Sequence, residues 1–324
     1  MKRIGILTSG GDAPGMNAAI RAVVRSAERA GAVCLGIRNG YRGLLDGDVI
    51  PLTGESVSGV IQRGGTLLYT ARCPEFKTRQ AQLQGAENAK RLGLDALVVL
   101  GGDGSFRGAE KLSGLGIPTV GIPCTIDNDV SCTSYSIGFD TASNVAVSAV
   151  DRLRDTSESH HRCSVVEVMG HRTGFLALDV AAASGAAAVL IPERETDIEN
   201  DLIRPISEHR GNHSIVIAAE GSRLRAAEAA GRISRETGVE TRLTVLGHVQ
   251  RGGAPTAMDR IFALRMGHRA VRILMEGEGN RVVAVRDNRV VDMPIASALS
   301  MEKRLDSELM NAVSAVSCKE RRVK

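Results

Sequence analysis

Apolar and polar residues alternate along the chain in blocks that predict strands followed by helices. Residues 96–100 form a continuous apolar run, the pattern of a parallel strand buried on both faces. The predicted strands are 4–7, 32–37, 95–100, 118–122, 164–169, 187–191, 214–219 and 243–248, with a short pair within 281–292. The predicted helices cover about 16–31, 139–156, 173–184, 197–209, 224–237 and 256–276. This order of elements predicts an α/β fold with parallel sheets.

Composition narrows the classes of function. The 324 residues suffice for two packed domains, and 43 % apolar with 24 % charged residues is ordinary for a globular protein. The net charge of +4 gives no reason to expect nucleic acid or an acidic membrane as a partner. Only 2 % of residues are aromatic, so platforms for base stacking are not expected. Any basic site must therefore be local.

The cysteines and the first residues indicate a cytoplasmic protein. The six cysteines, at positions 34, 73, 124, 132, 163 and 318, include no C-x-x-C pair and no zinc-ligand spacing, which is typical of reduced thiols. Met1 leads within three residues into an apolar strand, without the pattern of a signal peptide. No apolar run reaches the ~18 residues of a membrane span.

Two glycine loops follow predicted strands in the first half of the chain. They are residues 9–12 (Ser-Gly-Gly-Asp) and 101–105 (Gly-Gly-Asp-Gly-Ser). In open α/β sheets ligands bind beyond the carboxyl ends of strands, where glycine lets backbone N–H groups approach phosphate oxygens. Each loop alone could equally be a tight turn without a ligand, and neither fits the P-loop or dinucleotide pattern. Ser105 is expected to cap the helix that follows.

A third motif places carboxylates after two strands. Asp127 and Asp129 follow one predicted strand, and Asp103 follows the strand before it. A single aspartate in a loop is usually a turn or cap residue. Three at one sheet edge would repel one another unless a cation joined them, and Mg²⁺ takes one or two carboxylates together with substrate phosphates. The motif therefore predicts a magnesium–nucleotide site.

Basic residues flank strands in the second half. Arg162 and Arg242 precede predicted strands, and His248 and Arg251 lie at the end of the second of these. A single arginine is usually a solvated surface residue, but arginine forks match phosphate oxygens. The four groups together predict a phosphate pocket. Glu220 ends a further strand and could accept hydrogen bonds from sugar hydroxyls or favour the N-terminus of the next helix.

Seven stretches of the chain resemble the bacterial ATP-dependent 6-phosphofructokinase family, over nearly its whole length. They are residues 6–17, 63–66, 101–105, 125–129, 151–156, 164–170 and 245–253. Gly-Gly-Asp-Gly alone would also suit lipid and NAD kinases, whereas Thr-Ile-Asp-Asn-Asp is much more specific. The resemblance implies two Rossmann-like domains with the active site in the cleft between them. The ATP-binding domain would be 1–138 plus about 251–301, and the fructose 6-phosphate-binding domain 139–250 plus about 302–324.

The resemblance also implies the reaction and its residues. Asp127 would be the general base on the 1-hydroxyl of fructose 6-phosphate, and Arg72 and Thr125 could stabilise the transferring phosphoryl group. ATP would contact Gly11, Arg72, Cys73, Gly102, Asp103, Gly104 and Ser105, and Mg²⁺ would bind Asp103 with Asp129 nearby. The acceptor would contact Thr125, Asp127, Met169, Gly170, His171, Glu220, Arg162, Arg242, His248 and Arg251. In the family, residues matching Arg162 and Arg242 come from a neighbouring subunit, which implies a homo-oligomer, typically a tetramer.

Departures from the family pattern leave alternatives open. Either His171 or Arg172 could fill the position after Met169-Gly170. Pyrophosphate-using relatives carry an aspartate where this chain has Gly104 and a lysine where it has Cys124, so Gly104 favours ATP. Pyrophosphate use, another acceptor such as tagatose 6-phosphate or sedoheptulose 7-phosphate, and an inactive nucleotide-binding regulator remain as rival hypotheses.

The effector site of the regulated bacterial enzymes is matched only in part. Arg21, Arg25 and Arg154 correspond to it. Five small or weakly charged residues fall where those enzymes tend to have charged partners: Gly54, Gly59, Ala187, His209 and Gly211. The sequence therefore predicts weak or absent activation by ADP and inhibition by phosphoenolpyruvate.

Overall fold

The computed structural model describes residues 1–208 and 212–317. The chain forms two compact units. The first consists of Met1–Thr141 and Arg251–Lys303, and the second of Ala142–Gln250 and the chain from Arg304 onwards. Among the described residues, no helix is both long enough and apolar enough to cross a membrane.

The described residues form eleven strands and eleven α-helices. The strands are β1 Arg3–Thr8, β2 Val33–Ile37, β3 Val49–Leu52, β4 Ala96–Gly101, β5 Thr119–Pro123, β6 Cys163–Val168, β7 Ala188–Leu190, β8 Ser214–Ala219, β9 Thr241–Val245, β10 Arg281–Arg286 and β11 Arg289–Pro294. The helices are α1 Met16–Arg29, α2 Gly40–Asp46, α3 Arg79–Arg91, α4 Asp103–Ser113, α5 Phe139–Ser159, α6 Phe175–Ser184, α7 Arg204–Ser207, α8 Ala226–Thr237, α9 Ala257–Met275, α10 Ile295–Leu299 and α11 Ser307–Ser317.

The first unit contains a seven-stranded sheet in the order β11-β10-β5-β4-β1-β2-β3. Its five central strands pair in parallel, while β3 and β11 run antiparallel at the two edges. All six residues of β4 are buried, which explains its continuous apolar run. Because β1, β4 and β5 are neighbours and parallel, their carboxyl ends meet at one edge of the sheet.

Helices α1 and α9 pack closely in the first unit because small residues face each other. A Cβ on Gly267 of α9 would lie 2.7 Å from the Cβ of Ala22 and 3.2 Å from the carbonyl oxygen of Ala19. Both alanines belong to α1 and are at most 3 % exposed. Gly267 therefore permits a backbone approach that a larger side chain would prevent.

The second unit contains a parallel four-stranded sheet in the order β7-β8-β6-β9. Strand β8 is buried along its whole length and packs against α6, while α8 packs against β6 and β9. Strand β9 lies at the edge of the sheet and carries apolar side chains that stay exposed, Leu243 at 38 % and Val245 at 58 %.

The α/β prediction is confirmed, and two of the predicted elements need correction. The strand predicted over 243–248 spans Thr241–Val245, and a 3₁₀ turn at Gly247–Arg251 follows, with Gly247 in the left-handed region. The helix predicted over 197–209 is a π-helical turn, Ile198–Ile203, followed by the short α7. Pro205 has no N–H to donate to the preceding turn, which accounts for the irregular register. Residue 209 lies outside the described residues, as does the charged tail after residue 317.

Candidate active site

Two glycine loops meet at the carboxyl edge of the first sheet. The Ser9 N–H donates to the Leu100 carbonyl over 2.9 Å, which joins the end of β1 to β4. The Ser105 hydroxyl, in the second loop, donates to the Ser9 carbonyl over 3.1 Å. A Cβ on Gly101 would lie 2.6 Å from that same carbonyl, so the two loops are in direct contact.

The prediction that Ser105 caps the following helix is wrong. Helix α4 already begins at Asp103, with Gly102 as its N-cap residue and no side-chain cap. Ser105 is 5 % exposed, and its carbonyl accepts a hydrogen bond from the Tyr41 hydroxyl over 2.5 Å. Its side chain therefore links the two loops. Gly104, by contrast, is exposed, and a Cβ there would have nothing within 4 Å.

Asp127 and Asp129 flank a sharply turned residue after β5. The Thr125 hydroxyl lies 3.4 Å from Asp127 Oδ2 and accepts the Asp127 N–H over 3.2 Å. Asn128 is in the left-handed region, with φ of 51°. Its side chain accepts from the Ser136 N–H at 3.0 Å and donates to the Ser134 carbonyl at 3.3 Å. The turn is thereby held in one conformation.

Asp103 shares its surroundings with a second carboxylate and two cations. Burial and the nearby carboxylate of Asp129 raise the pKa of Asp103, while Arg107 and Lys303 oppose that rise. Burial lowers the pKa of Lys303 to about 8, against the opposing effect of Asp129 and Asp103. The lysine donates to the Asn128 carbonyl over 2.6 Å. Asp103, Asp129 and Lys303 thus form one coupled charge cluster.

The pair of carboxylates at this edge suits a magnesium ion that also binds phosphates and water, rather than a cation held by protein ligands alone. Among the residues described, no group of three or more His, Cys, Asp or Glu side chains could hold a metal ion. Asp103 and Asp129 nevertheless lie close enough to interact electrostatically. Mg²⁺ usually binds one or two carboxylates and completes its octahedron with waters and phosphates. The donor set therefore suits a cation that arrives with a nucleotide.

The segment 63–70 is fixed over the end of β1 by two side chains. Asn17 of α1 donates to the carbonyls of Arg63 and Gly64 at 3.1 and 3.0 Å, and accepts from the Leu67 N–H at 2.7 Å. The Thr8 hydroxyl donates to the Tyr69 carbonyl at 2.8 Å. This anchoring explains why an Arg-Gly-Gly-Thr motif accompanies the glycine loops in the sequence.

Two predicted nucleotide contacts follow that segment. Arg72 is exposed, whereas Cys73 is partly buried and packs against the core of the first unit. Burial raises the pKa of the Cys73 thiol, so it is a weak nucleophile here. Cys124, whose role the sequence left open, is 1 % exposed and belongs to the core.

Arg251 belongs to the first unit and lies beside the first glycine loop. Its guanidinium donates to the Asp12 carbonyl over 2.9 Å. A Cβ on Gly11 would lie 2.5 Å from the same guanidinium. Glycine at position 11 therefore leaves room for the arginine as well as for a ligand.

Four of the residues predicted to contact the phosphoryl acceptor lie at the carboxyl edge of the second sheet. Met169 and Gly170 follow β6, Glu220 follows β8, and His248 lies in the turn after β9. Glu220 accepts the His171 N–H over 2.7 Å, which joins two of these loops. His171 and Arg172 are both exposed, so the geometry leaves either side chain accessible.

Arg162 and Arg242 lie at the opposite, amino edge of the same sheet. Cys163 pairs with Thr241 at the start of β6 and β9, so both arginines are at that end. Arg162 and Arg242 form ion pairs with Glu240 at 2.9 and 2.5 Å. Arg162 and Arg242 therefore do not meet His248 at one edge of this sheet, and a pocket formed by all four basic residues stays a prediction. A strand of six residues separates the two edges by about 17 Å.

The predicted effector residues also fall into two groups. On α1 of the first unit, Arg25 donates to the Gly54 carbonyl over 3.0 Å. In the second unit, Arg154 lies 2.9 Å from His213 Nε2 and lines a cavity of about 410 Å³ together with Ala187. His209 and Gly211 lie outside the described residues.

Sequence patterns gave no role to several residues that hold the site. Asn17, Gln250 and Lys303 act through bonds to distant backbone groups. Gln250 is fully buried and accepts the Met169 N–H over 3.3 Å while donating to the Gly247 carbonyl. Asn17 and Gln250 lie inside two of the stretches that resemble the family, 6–17 and 245–253, which could have drawn attention to them, whereas no such stretch surrounds Lys303.

Comparisons with known proteins agree on one family. A family model described as phosphofructokinase matches residues 3–274. The ATP-dependent 6-phosphofructokinase of Clostridium botulinum (strain Alaska E43 / Type E3) is 52 % identical over 321 residues, which cover 98 % of this chain and 100 % of the relative. The ATP-dependent 6-phosphofructokinase of Clostridium tetani is 52 % identical over 320 residues, with the same coverage.

A solved structure of related fold is the phosphofructokinase from Saccharomyces cerevisiae. It superimposes with a TM-score of 0.89 at 33 % sequence identity and covers 98 % of this chain. The match covers 48 % of the yeast chain, so this chain spans about half the length of that relative.

Proposed function

Because the chain belongs to the phosphofructokinase family, we propose that it is an ATP-dependent 6-phosphofructokinase. It transfers the γ-phosphoryl group of ATP to the 1-hydroxyl of fructose 6-phosphate, giving fructose 1,6-bisphosphate and ADP. The observation that carries this proposal is the edge where β1, β4 and β5 end, with two glycine loops and three aspartates. As the substrates belong to glycolysis, the proposed location is the cytoplasm.

Asp127 is the proposed general base. Phosphoryl transfer depends mainly on positioning and charge neutralisation, with a side chain to accept the proton of the attacking hydroxyl. The bonds to Thr125 support this role because they fix the backbone at Asp127. Thr125 and Arg72 are proposed to stabilise the transferring group, which carries charge on its equatorial oxygens.

The proposed ATP site is the pair of glycine loops. Gly11, Gly102, Asp103 and Gly104 would contact the nucleotide beside Arg72 and Cys73, and the start of α4 offers free N–H groups to an anion. Ser105 contributes through the contact of its hydroxyl with the Ser9 carbonyl, which keeps the loops together. The open space at Gly104 supports ATP as donor, since an aspartate there would occupy it.

Asp103 and Asp129 would hold Mg²⁺. When bound, the ion neutralises the negative charge of the ATP phosphates. The two carboxylates fit this role because they interact and lie at the N-terminus of α4 and directly after the Asp127 turn. Lys303 supplies a positive charge to the same carboxylates from within the protein.

Fructose 6-phosphate is proposed to bind residues of both units and of a second copy of the chain. Thr125, Asp127 and Arg251 would come from the first unit, and Met169, Gly170, His171, Glu220 and His248 from the second. Arg162 and Arg242 would bind phosphate in the site of a neighbouring subunit. Their position at the amino edge, away from Glu220 and His248, supports this sharing. The proposed assembly is a homotetramer.

The test is a coupled assay of purified protein with fructose 6-phosphate, Mg²⁺ and either ATP or pyrophosphate. Turnover with ATP alone supports the proposal. Turnover with pyrophosphate alone would overturn the choice of donor, and no turnover with either would overturn the function. Parallel assays with tagatose 6-phosphate and sedoheptulose 7-phosphate measure the preference for the acceptor.

A further inference from the structure

Lys303 reaches the Asp127–Asp129 turn from a distant part of the chain. Its Nζ donates to the Asn128 carbonyl over 2.6 Å, across a separation of 175 residues. Lys303 is the last residue of the first unit and follows α10. The contact therefore joins the end of the first unit to the turn that carries two of the three aspartates.

The peptide that Lys303 holds follows a residue in the left-handed region. Asn128 has a φ of 51°, a conformation that asparagine adopts more readily than most other residues with a side chain. Its side chain is fixed by Ser134 and Ser136, whereas its carbonyl is fixed by Lys303. The Asn128 carbonyl belongs to the peptide that leads into Asp129. The side chain and the carbonyl of Asn128 are thus both held, which restrains the backbone at the neighbouring residues Asp127 and Asp129.

The charge of Lys303 matches its surroundings. Asp103 and Asp129 both act on the ammonium group electrostatically. A hydrogen bond from an ammonium group is stronger than one between neutral groups, and its strength increases where water is partly excluded. A neutral side chain of the same length would keep the packing and lose this bond.

We propose that Lys303 is a positioning residue for phosphoryl transfer, which holds the Asn128 carbonyl so that Asp127 and Asp129 keep their catalytic orientation. This inference rests on the proposed function. A positioning role differs from a role as counter-charge alone, in which Lys303 would only neutralise the negative charges of Asp103 and Asp129. The two roles predict opposite effects on metal affinity when the lysine is neutralised.

The first test compares Lys303→Met and Lys303→Arg with Lys111→Met. Lys111 lies on α4, is exposed and pairs with Glu110, so its variant makes the same charge change without touching the turn. Lys303→Met is expected to lower kcat about tenfold or more, with each KM changed less than about threefold. Lys303→Arg, which keeps a charged donor, should recover part of the loss. Lys111→Met should stay within about twofold of wild type.

The second test measures Mn²⁺ binding by electron paramagnetic resonance, with a non-hydrolysable ATP analogue present. Misplacement of Asp129 should weaken Mn²⁺ binding to Lys303→Met by about threefold or more, whereas loss of a counter-charge alone would tighten it. Unchanged or tighter binding would overturn the inference. If Lys303→Met does not fold, Lys303→Leu, which also lacks a donor, replaces it in both measurements.

The wild-type assay separates this inference from the function on which it rests. If wild type transfers no phosphoryl group from ATP to fructose 6-phosphate, the proposed function fails. If wild type is active and Lys303→Met keeps its kcat, only the role of Lys303 fails.

Discussion

Residues at the carboxyl edge of the first sheet differ in whether they already make contacts within the protein. The Ser105 hydroxyl donates to the Ser9 carbonyl, and the Arg251 guanidinium donates to the Asp12 carbonyl. Gly104 has open space around it. Substituting a residue that makes these hydrogen bonds would disturb the loops themselves. Ligand binding is therefore better tested with variants whose side chains face the ligand or empty space.

Replacing Asp127 by asparagine keeps the shape of the side chain and removes the proposed base. We expect kcat to fall by about 10²–10⁴-fold, with both substrates still bound. Steady-state kinetics and calorimetric titration of each substrate measure the two effects. Asp95→Asn is the control, because Asp95 lies before β4 at the opposite edge and accepts the Arg3 N–H. Unchanged turnover in Asp127→Asn would refute the assignment.

Filling the space at Gly104 tests the donor site. In Gly104→Asp the new carboxylate would occupy the volume proposed for phosphate, and we expect the KM for ATP to rise about tenfold or more at unchanged melting temperature. Gly231→Asp on α8 is the control, since its Cβ would meet only the flexible guanidinium of Arg235. An unchanged KM for ATP would exclude Gly104 from the nucleotide site.

The sequence was informative about residues whose role depends on their place after a strand. Asp103 and Asp127 could be found because buried strands are visible as apolar runs, and the residues just beyond them share an edge. Lys303 could not be found, because no motif surrounds it and it acts on a backbone group whose position is set by the folded chain. The opposite edges of Arg162 and Glu220 follow from the predicted parallel strands, because Arg162 precedes one strand and Glu220 follows another.

At the scale of elements, α5 begins against a carboxylate supplied by α9. Asp259 is fully buried and accepts hydrogen bonds from the N–H groups of Gly138 and Thr141 at 2.6 and 3.0 Å. The hydroxyls of Thr141 and Tyr135 also donate to it. An acceptor at the N-terminus satisfies donors that the helix itself leaves unpaired. Asp259 thus fixes the start of α5 within the first unit.

Removing this carboxylate should be costly. Asp259→Ala would leave several buried donors without an acceptor, and we expect the free energy of unfolding to fall by about 3 kcal/mol or more. Urea unfolding measures the change. Asp46→Ala, which breaks an exposed pair with Arg42, is the control and should cost at most about 1 kcal/mol. Equal losses in both variants would show that the Asp259 network contributes little.

Elements were easier to anticipate when they were long or fully buried. Strand β4 and helix α9 were found close to their observed bounds. The short α2, β3 and α10 were not anticipated, because two turns or four residues carry too little periodicity, and the longer α3 and α11 were missed as well. The antiparallel edge β3 likewise had no signal that distinguished it from a parallel strand, whereas the short pair predicted within 281–292 corresponds to β10 and β11.

At the scale of the whole molecule, a shared active site can be tested by mixing inactive variants. Asp127→Asn and Arg162→Ser each disable the proposed site in homo-oligomers. Dissociating and reassembling an equal mixture should restore activity in about a quarter of the sites, where both intact residues meet. A mixture of Asp127→Asn with Asp103→Asn should recover nothing, since both residues lie in the first unit. No recovery in the first mixture would refute the sharing.

Regulation by ADP or phosphoenolpyruvate is a second property to test at this scale. Gly54 and Ala187 offer no charge where Arg25 and Arg154 would need partners to hold a phosphorylated effector. We expect saturation curves for fructose 6-phosphate to shift less than about twofold when ADP or phosphoenolpyruvate is added. A large shift with either effector would overturn this expectation.

Strand β9 leaves one edge of the second sheet open. In the part of the chain that the structure describes, β9 pairs only with β6, and Leu243 and Val245 project as exposed apolar side chains from one face of this edge strand. Such an edge accepts strands from other chains unless charged residues guard it. Arg242 is the one charged residue within β9, and a charge on an edge strand opposes pairing with another chain. Substituting it would remove a proposed phosphate ligand and that protection together.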